Sequence, residues 1–398
     1  MKPLNLEPRL RAIMEREYPR FSDAEYARRH QALAQVMDQA GTDHLLVVTD
    51  QRTGNATQWV TGWPGTVEAL TIFKPGEQLL MHMEWHNHFP LGKKIAQDVD
   101  VRWGEHQGMA KTIAELKRRG AKRVGLIGPL GIAKYQQLAR EFDVVLLDRQ
   151  YARLRMVKSG EEIDWLRIGA ALSDAGFAAL LEHTRVGLTE RELANIVERA
   201  WVGHGGSTMI HYIGCTSMAD PEICVPPQQH SPRKVAQGDV IFCELSAFWW
   251  DYAGQVLRTY TVDAEPTPLY RDMHAAAEAT YDAVTGVMRH GTTMQEIVEA
   301  SGVVEARGFS VCDDLVHGFG GGYFQPILGP RSRPAGPLPD MILEENMTVV
   351  VQPNIVTPDR RAGVQVGEMI RITRTGFERL HGTPRGFFKA GTAMQHPQ

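Results

Sequence analysis

The stretch "GDVIFCELSAFWWDYAGQVLRTYTV" (238–262) constrains this chain more than any other. Its β-branched and aromatic residues, broken only by a turn near Trp249–Trp250, read as a β-hairpin buried in a sheet. Inside the first apolar strand stands one carboxylate, Glu244, and eleven residues later one neutral amide, Gln255. A buried carboxylate is costly unless it has a partner or a task. The hairpin therefore marks a sheet core and a candidate site together.

The rest of the chain can supply that core. Its 398 residues are 43% hydrophobic and 23% charged, an ordinary globular balance with room for two or three domains. The net charge of −4 is spread along the chain without a Lys/Arg run, which argues against nucleic acid as a partner. No segment approaches the roughly 18–20 apolar residues needed to cross a bilayer. The charged start "MKPLNLEPRLRAIMEREYPR" has no apolar targeting core, and the four cysteines form no CxxC pair. These features lead us to expect a reduced, soluble, cytoplasmic protein without a membrane partner.

Strand and helix patterns alternate over 22–150: apolar strands at 44–49, 79–83, 123–127 and 144–147, and helices near 108–120 and 131–141. This predicts an N-terminal α/β domain over 1–155 with a partly parallel sheet. Ser22–Glu25, Ser159–Glu162, Thr189–Glu192 and Thr293–Glu296 have capping-box spacing. Beyond 156 the pattern becomes α+β, with strand-rich pieces at 238–262, 308–324, 347–356 and 363–375, so a second domain spans 156–398. The segment "FQPILGPRSRPAGPLPD" (324–340) holds five prolines and reads as a long loop that could serve as a lid.

Four pieces of the second domain, 230–262, "VHGFGGGY" (316–323), "VVVQPNI" (349–355) and "GVQVGEMIRIT" (363–373), resemble the pita-bread family of methionine aminopeptidase, aminopeptidase P and prolidase, together with its metal-free relatives creatinase and ectoine hydrolase. "WVTGW" (59–63) and "LRMVKSGEEIDWLR" (154–167) extend the resemblance to the first domain. It implies an α+β C-terminal pita-bread domain behind a smaller creatinase-like α/β domain. In metal-dependent members five ligands hold two divalent ions. Position by position these fall on Glu244, Gln255, Gly321, Gln352 and Gly367. Paired hard cations need several carboxylate oxygens, and glycine offers no donor, so we expect no metal and no other cofactor.

The resemblance places a catalytic histidine on His230, with Glu244 as nucleophile or general base and His317 as the group that meets a developing oxyanion. Gln255, Gln352 and Glu368 are candidate substrate-binding residues, with Arg258 as their support. From the first domain, Trp63 and Glu68 on the loop 61–70 are candidates to reach the site of the other copy in a homodimer whose sites lie near the subunit interface. His86 and His88 read as structural or rim residues. The expected activity is metal-independent hydrolysis of a non-peptide C–N bond in a small-molecule substrate, as in an amide, cyclic amidine or guanidine. A non-catalytic binding module and a metal-dependent Xaa-Pro peptidase or lyase with altered ligands are the alternatives.

Overall fold

The computed structural model describes residues 3–51 and 54–390. The chain divides into two units, one over Glu15–Arg155 and the other taking the described residues of 1–14 together with those from Met156 onward. The short helix Pro8–Met14 packs on the helix Gly160–His183, and Arg9 Nη2 donates to Asp164 Oδ1 at 2.8 Å. The boundary at 155 thus meets a second crossing near residue 14.

In the Glu15–Arg155 unit, six strands form one mixed sheet: β1 (His44–Thr49), β2 (Ala69–Phe73), β3 (Leu79–Met83), β4 (Val99–Trp103), β5 (Arg123–Ile127) and β6 (Asp143–Leu146). Their order is β4-β3-β2-β1-β5-β6. β1, β5 and β6 run parallel, as do β3 and β4, whereas β2 is antiparallel to both neighbours. Leu46, Val48, Leu70, Ile72 and Leu116 fill the core beneath it. The helix Asp23–Ala40 starts at Ser22, which accepts from the Glu25 backbone N–H, and ends at Gly41 with φ 64°. The reciprocal half of the expected capping box is replaced: Glu25 turns inward to pair with the fully buried Arg29 at 2.7 Å. A buried guanidinium needs that carboxylate more than an exposed N-cap amide does.

The larger unit is built on β7 (Ser207–Ser217), β8 (Asp239–Trp249), β9 (Tyr252–Thr261), β10 (Ser310–Val311), β11 (Val316–Phe319), β12 (Tyr323–Leu328), β13 (Thr348–Val351), β14 (Ile355–Val356), β15 (Gly367–Ile372), β16 (Phe377–Arg379) and β17 (Phe388–Lys389). The main sheet runs β12-β11-β13-β15-β9-β8-β7, with β16 on β15 and β17 on β9, while β10 and β14 pair separately. The hairpin read from the sequence is β8–β9, in register from Val240↔Thr261 to Trp249↔Tyr252. Among the described residues no helix is long and apolar enough to cross a membrane.

The helix Gly160–His183 opens with a complete Ser159–Glu162 capping box and lies directly on this hairpin. Contact is close because side chains are missing on both surfaces. A Cβ on Gly169 would stand 2.6 Å from the Tyr252 carbonyl oxygen, and one on Gly254 would stand 2.3 Å from the Ala170 Cα. Ser173 Oγ bridges the seam, donating to Gly254 O at 2.8 Å and accepting from Ala247 N at 2.9 Å.

The proline-rich segment begins as structure rather than as loop. Residues Tyr323–Leu328 form the edge strand β12 against β11. The register shifts between His317 and Gly318, leaving Gln325 and Pro326 outside the ladder. An edge position and a bulge are where a residue without an N–H is tolerated.

The seam makes a direct prediction. Gly254→Ala should destabilise the chain by roughly 1–3 kcal/mol or more through overpacking, seen as a lowered thermal midpoint. Gly286→Ala, at an exposed helical position with nothing within 4 Å of its added Cβ, should leave the midpoint unchanged or raise it.

Candidate active site

Sheet register decides which side chains meet. Glu244 lies opposite Leu257, and Ser246 lies opposite Gln255, so Glu244 and Gln255 are diagonal neighbours on one face of the hairpin. Leu257 also pairs with Gly367, and β15 pairs with β13, which in turn pairs His317 with Val350. Side chains alternate along each strand. Glu244, Gln255, Gly367 and His317 therefore share one face, joined by Gln352 just past β13. Arg258 and Glu368 point to the other.

Glu244 is buried, and the Gln255 side-chain amide donates to its Oε1. Burial, and then the negative charge of Asp313, push its carboxyl up to about 8, so it keeps its proton at neutral pH. On the same sheet face, burial pulls His317 down to about 4 and makes it a neutral imidazole. Its Nδ1 lies 3.3 Å from the Gly318 carbonyl oxygen, which can only accept, so the proton belongs on Nδ1 and the lone pair on Nε2. The His317 ring sits 4.7 Å from that of Tyr323. Burial, followed by the charges of Glu244 and Tyr212, pushes the Tyr323 hydroxyl up, which ties these residues into one electrostatic unit.

Gln352 Nε2 donates to Asp314 O at 3.0 Å. A weak pull from the Gln352 amide reaches the His317 ring. By normal distance and angle, however, His317 Nε2, Gln352 Oε1 and Gln255 Oε1 have no hydrogen-bond partner although all are buried. Three buried acceptors beside one protonated carboxyl define a site shaped for water or a ligand carrying N–H or O–H groups.

Behind the pocket, Glu368 is fully buried and committed. Arg258 Nη2 donates to its Oε2 at 2.5 Å, Arg379 Nη2 donates to the same oxygen at 2.9 Å, and Arg379 Nε and the Tyr281 hydroxyl reach its Oε1. Burial alone would raise this carboxyl, but Arg258 and then Arg379 hold it at about 2. Both oxygens expected to receive substrate are taken by the protein's own cations.

His230 is set against the outer strand of the sheet. Its Nε2 lies 2.7 Å from the His211 carbonyl oxygen, its ring meets the His211 ring edge-on at 4.6 Å, and its carbonyl accepts from Arg191 on the neighbouring helix Glu190–Val202. Its contacts are thus with β7 and that helix rather than with Glu244. In the Glu15–Arg155 unit, Trp63 is buried, and Glu68 is buried in an ion pair with Lys134. His86 packs on Trp103 at 4.8 Å.

Asp313 and Tyr323 are site residues that the sequence reading passed over. The adjacent acids of "CDDLVHG", immediately before His317, were the available signal.

The five positions that the resemblance assigns to ions carry one protonated carboxyl, two amides and two glycines. Nor can Gly367 readily host a ligand, because an added Cβ would stand 2.3 Å from the Val351 carbonyl oxygen. Among the described residues no group of three or more His, Cys, Asp or Glu could hold a metal ion. The donor set does not fit a dinuclear centre.

The fold is the pita-bread fold, seen in proteins that differ widely in sequence. An Xaa-Pro dipeptidase from Bacillus anthracis superposes with a TM-score of 0.79 at 19% identity, over 92% of this chain and 99% of that one. The X-Pro aminopeptidase of Thermotoga maritima gives 0.78 at 18% identity, over 91% and 99%. In sequence, the Xaa-Pro dipeptidase of Pyrococcus furiosus is 22% identical over 272 residues, 67% of this chain and 76% of that protein. The description "Metallopeptidase family M24" matches residues 164–374, more than half of the chain. The chain belongs to metallopeptidase family M24.

These relatives correct the expected chemistry. They are dipeptidases and aminopeptidases by name, which overturns the assignment to a hydrolase of non-peptide C–N bonds. The residues behind that assignment, a carboxylate and histidines in a polar pocket, serve the tetrahedral chemistry of any acyl C–N bond and do not discriminate among them.

Two predictions follow from the electrostatics. Between about pH 5 and 7.5 the folded chain holds a proton on Glu244 that the unfolded chain releases, so stability falls as pH rises, by about 1.4 kcal/mol per pH unit. Glu244→Gln should abolish this dependence, gaining thermal midpoint relative to the unmodified protein as pH rises from 5 to 9. Glu368→Gln should instead cost about 3–5 kcal/mol at pH 7 by leaving Arg258 buried without its counterion, read as a lowered midpoint and early loss of near-ultraviolet circular dichroism.

Proposed function

We propose that this chain is a hydrolase of short peptides, with Xaa-Pro dipeptides as the first substrates to test, and that it works without metal ions, with Glu244 giving a proton to the substrate and His317 taking one from water. The peptide class is taken from the named relatives. The observation that supports the mechanism is the opposed setting of two buried groups on one sheet face. A carboxyl pushed up to about 8 is the acid, and an imidazole pulled down to about 4 is the base. Groups driven apart in this way are the usual division of acid and base labour in one pocket.

In this reading the lone pair on His317 Nε2 takes a proton from an attacking water, and Gln352 Oε1 accepts the water's other hydrogen. The water oxygen bonds to the peptide carbonyl carbon. Glu244 donates its proton to the carbonyl oxygen as that oxygen gains charge, while Gln255 holds the other carboxyl oxygen in place. On collapse of the adduct the C–N bond breaks, the proton on His317 passes to the departing nitrogen, and a hydroxyl of the adduct returns a proton to Glu244 as the C=O bond re-forms. The Nδ1 bond to Gly318 makes His317 an acceptor here, in place of the oxyanion donor expected from the sequence.

Both groups are in working form only between their two values. Turnover should rise as His317 loses its proton through about pH 4 and fall as Glu244 loses its own through about pH 8. Free-proline release from a panel of Xaa-Pro dipeptides should show this bell and should be equal before and after exhaustive chelation. Glu244→Gln should cost about 10²–10⁴-fold. Activity that needs added manganese, cobalt or zinc would overturn the metal-free reading. The loss of metal donors at four of five positions favours a second reading, peptide binding without turnover. Calorimetric binding of a dipeptide later recovered intact would establish that one.

A further inference from the structure

We propose that Cys224 and Cys312 form a peroxide-oxidised disulfide pair beside the pocket. The inference is independent of the peptidase reading. The two cysteines are 88 residues apart in sequence, on separate connections of the larger unit. Backbone pairing brings those connections together. Cys312 follows directly on β10, whose Val311 pairs with Ile355 of β14. Val356 of β14 bridges to Gly363, and Gly363 presses against the Cys224 peptide so closely that a Cβ would stand 2.0 Å from the Cys224 carbonyl oxygen. The turn between Val356 and Gly363 carries Arg360, whose positive charge acts on both thiols, opposed at Cys224 by Asp359.

The Cys312 thiol acts directly on that of Cys224: this interaction, against burial, draws Cys224 down to about 7, and the same interaction and then burial push Cys312 up. Cys224 is therefore substantially thiolate at neutral pH, the reactive form toward peroxide, with a second thiol already at its side. The other two cysteines lack this arrangement. Burial pushes Cys243 up to about 12, and burial with the nearby Asp239 raises Cys215. Both free thiols of the proposed pair are present in the structure.

The chemistry balances with hydrogen peroxide as the oxidant. The Cys224 thiolate attacks one peroxide oxygen, the O–O bond breaks, and hydroxide leaves to be protonated to water, giving a sulfenic acid. Cys312 loses its proton as its sulfur attacks the Cys224 sulfur, the S–O bond breaks, and a second water departs. Two thiols are oxidised by two electrons, and one peroxide is reduced to two waters. Cys312 adjoins Asp313, whose charge acts on both Glu244 and His317, so the cross-link would tie the pocket's acidic loop to the Cys224 connection.

The test treats the full-length protein at pH 7.5 with a small molar excess of hydrogen peroxide, followed by alkylation and non-reducing peptide mass mapping. The expected result is a Cys224–Cys312 cross-linked peptide, loss of two of the four titratable thiols, and full recovery with dithiothreitol. Cys215 and Cys243 should remain alkylatable once the chain is denatured. Cys312→Ser removes the second sulfur and should halt oxidation at a sulfenic acid that dimedone captures on Cys224. A circular dichroism melt of this variant establishes that it is folded. Two results would overturn the proposal: Cys224 and Cys312 both still alkylatable after peroxide, or Cys224 in the unmodified protein passing to sulfinic acid with no cross-link.

Discussion

The buried guanidinium of Arg258 is the interaction on which the larger unit of this molecule turns. Its Nε donates to Pro384 O, its Nη1 to Leu257 O and Gly367 O, and its Nη2 to Glu368 and Thr383 O, five bonds in all. A guanidinium has five N–H groups, so each is engaged. One side chain thereby fixes β9 to β15 and both to the segment at 383–384. Glu368 supplies the compensating charge that lets this cation stay out of water. Because side chains alternate along the strands, anchoring Arg258 and Glu368 behind the sheet turns Glu244 and Gln255 toward the pocket.

The positions that the resemblance assigns to a metal centre do not carry the electrostatics of one. A dinuclear site sets several carboxylates against about four positive charges. Remove the ions alone, and those carboxylates become an uncompensated buried cluster. Amides at Gln255 and Gln352 avoid this cost while keeping hydrogen-bonding atoms in place. The one acid left, Glu244, resolves its burial by holding a proton. The neutral state of His317 has the same origin, since burial penalises its cationic form.

The bulge at His317 shows how backbone and site are coupled. The register shift between His317 and Gly318 expels Gln325 and Pro326 from the ladder, and Gly318 passes so close to β12 that a Cβ would stand 2.4 Å from the Gln325 carbonyl oxygen. A bulge of this kind re-aims the side chains beside it. Here it lies at the histidine whose Nε2 is left without a partner. Pro326, one of the five prolines that argue for a loop over 324–340, instead sits at the bulge of an edge strand.

Features written in neighbouring residues were legible without coordinates. The boxes at Ser159–Glu162, Thr189–Glu192 and Thr293–Glu296 all form, because a cap needs only residues three apart. The β8–β9 hairpin was legible too, because its alternation and its turn lie within one stretch. β7 is not legible in the sequence, because an outermost strand buries only part of its length and mixes His211 and Tyr212 with Ile210 and Ile213. Whether Ser22–Glu25 closes as a full box depended on Arg29, and whether Glu368 could meet a ligand depended on Arg258 and Arg379, residues that claim each carboxylate only in the folded chain. The sequence by itself determined the family, the hairpin and the missing metal donors, which depend on residue identity and short spacing. Only the tertiary structure decided that Glu244 holds a proton, that His317 offers a lone pair and that His230 faces β7, because charge state and orientation follow from burial and from partners distant in sequence.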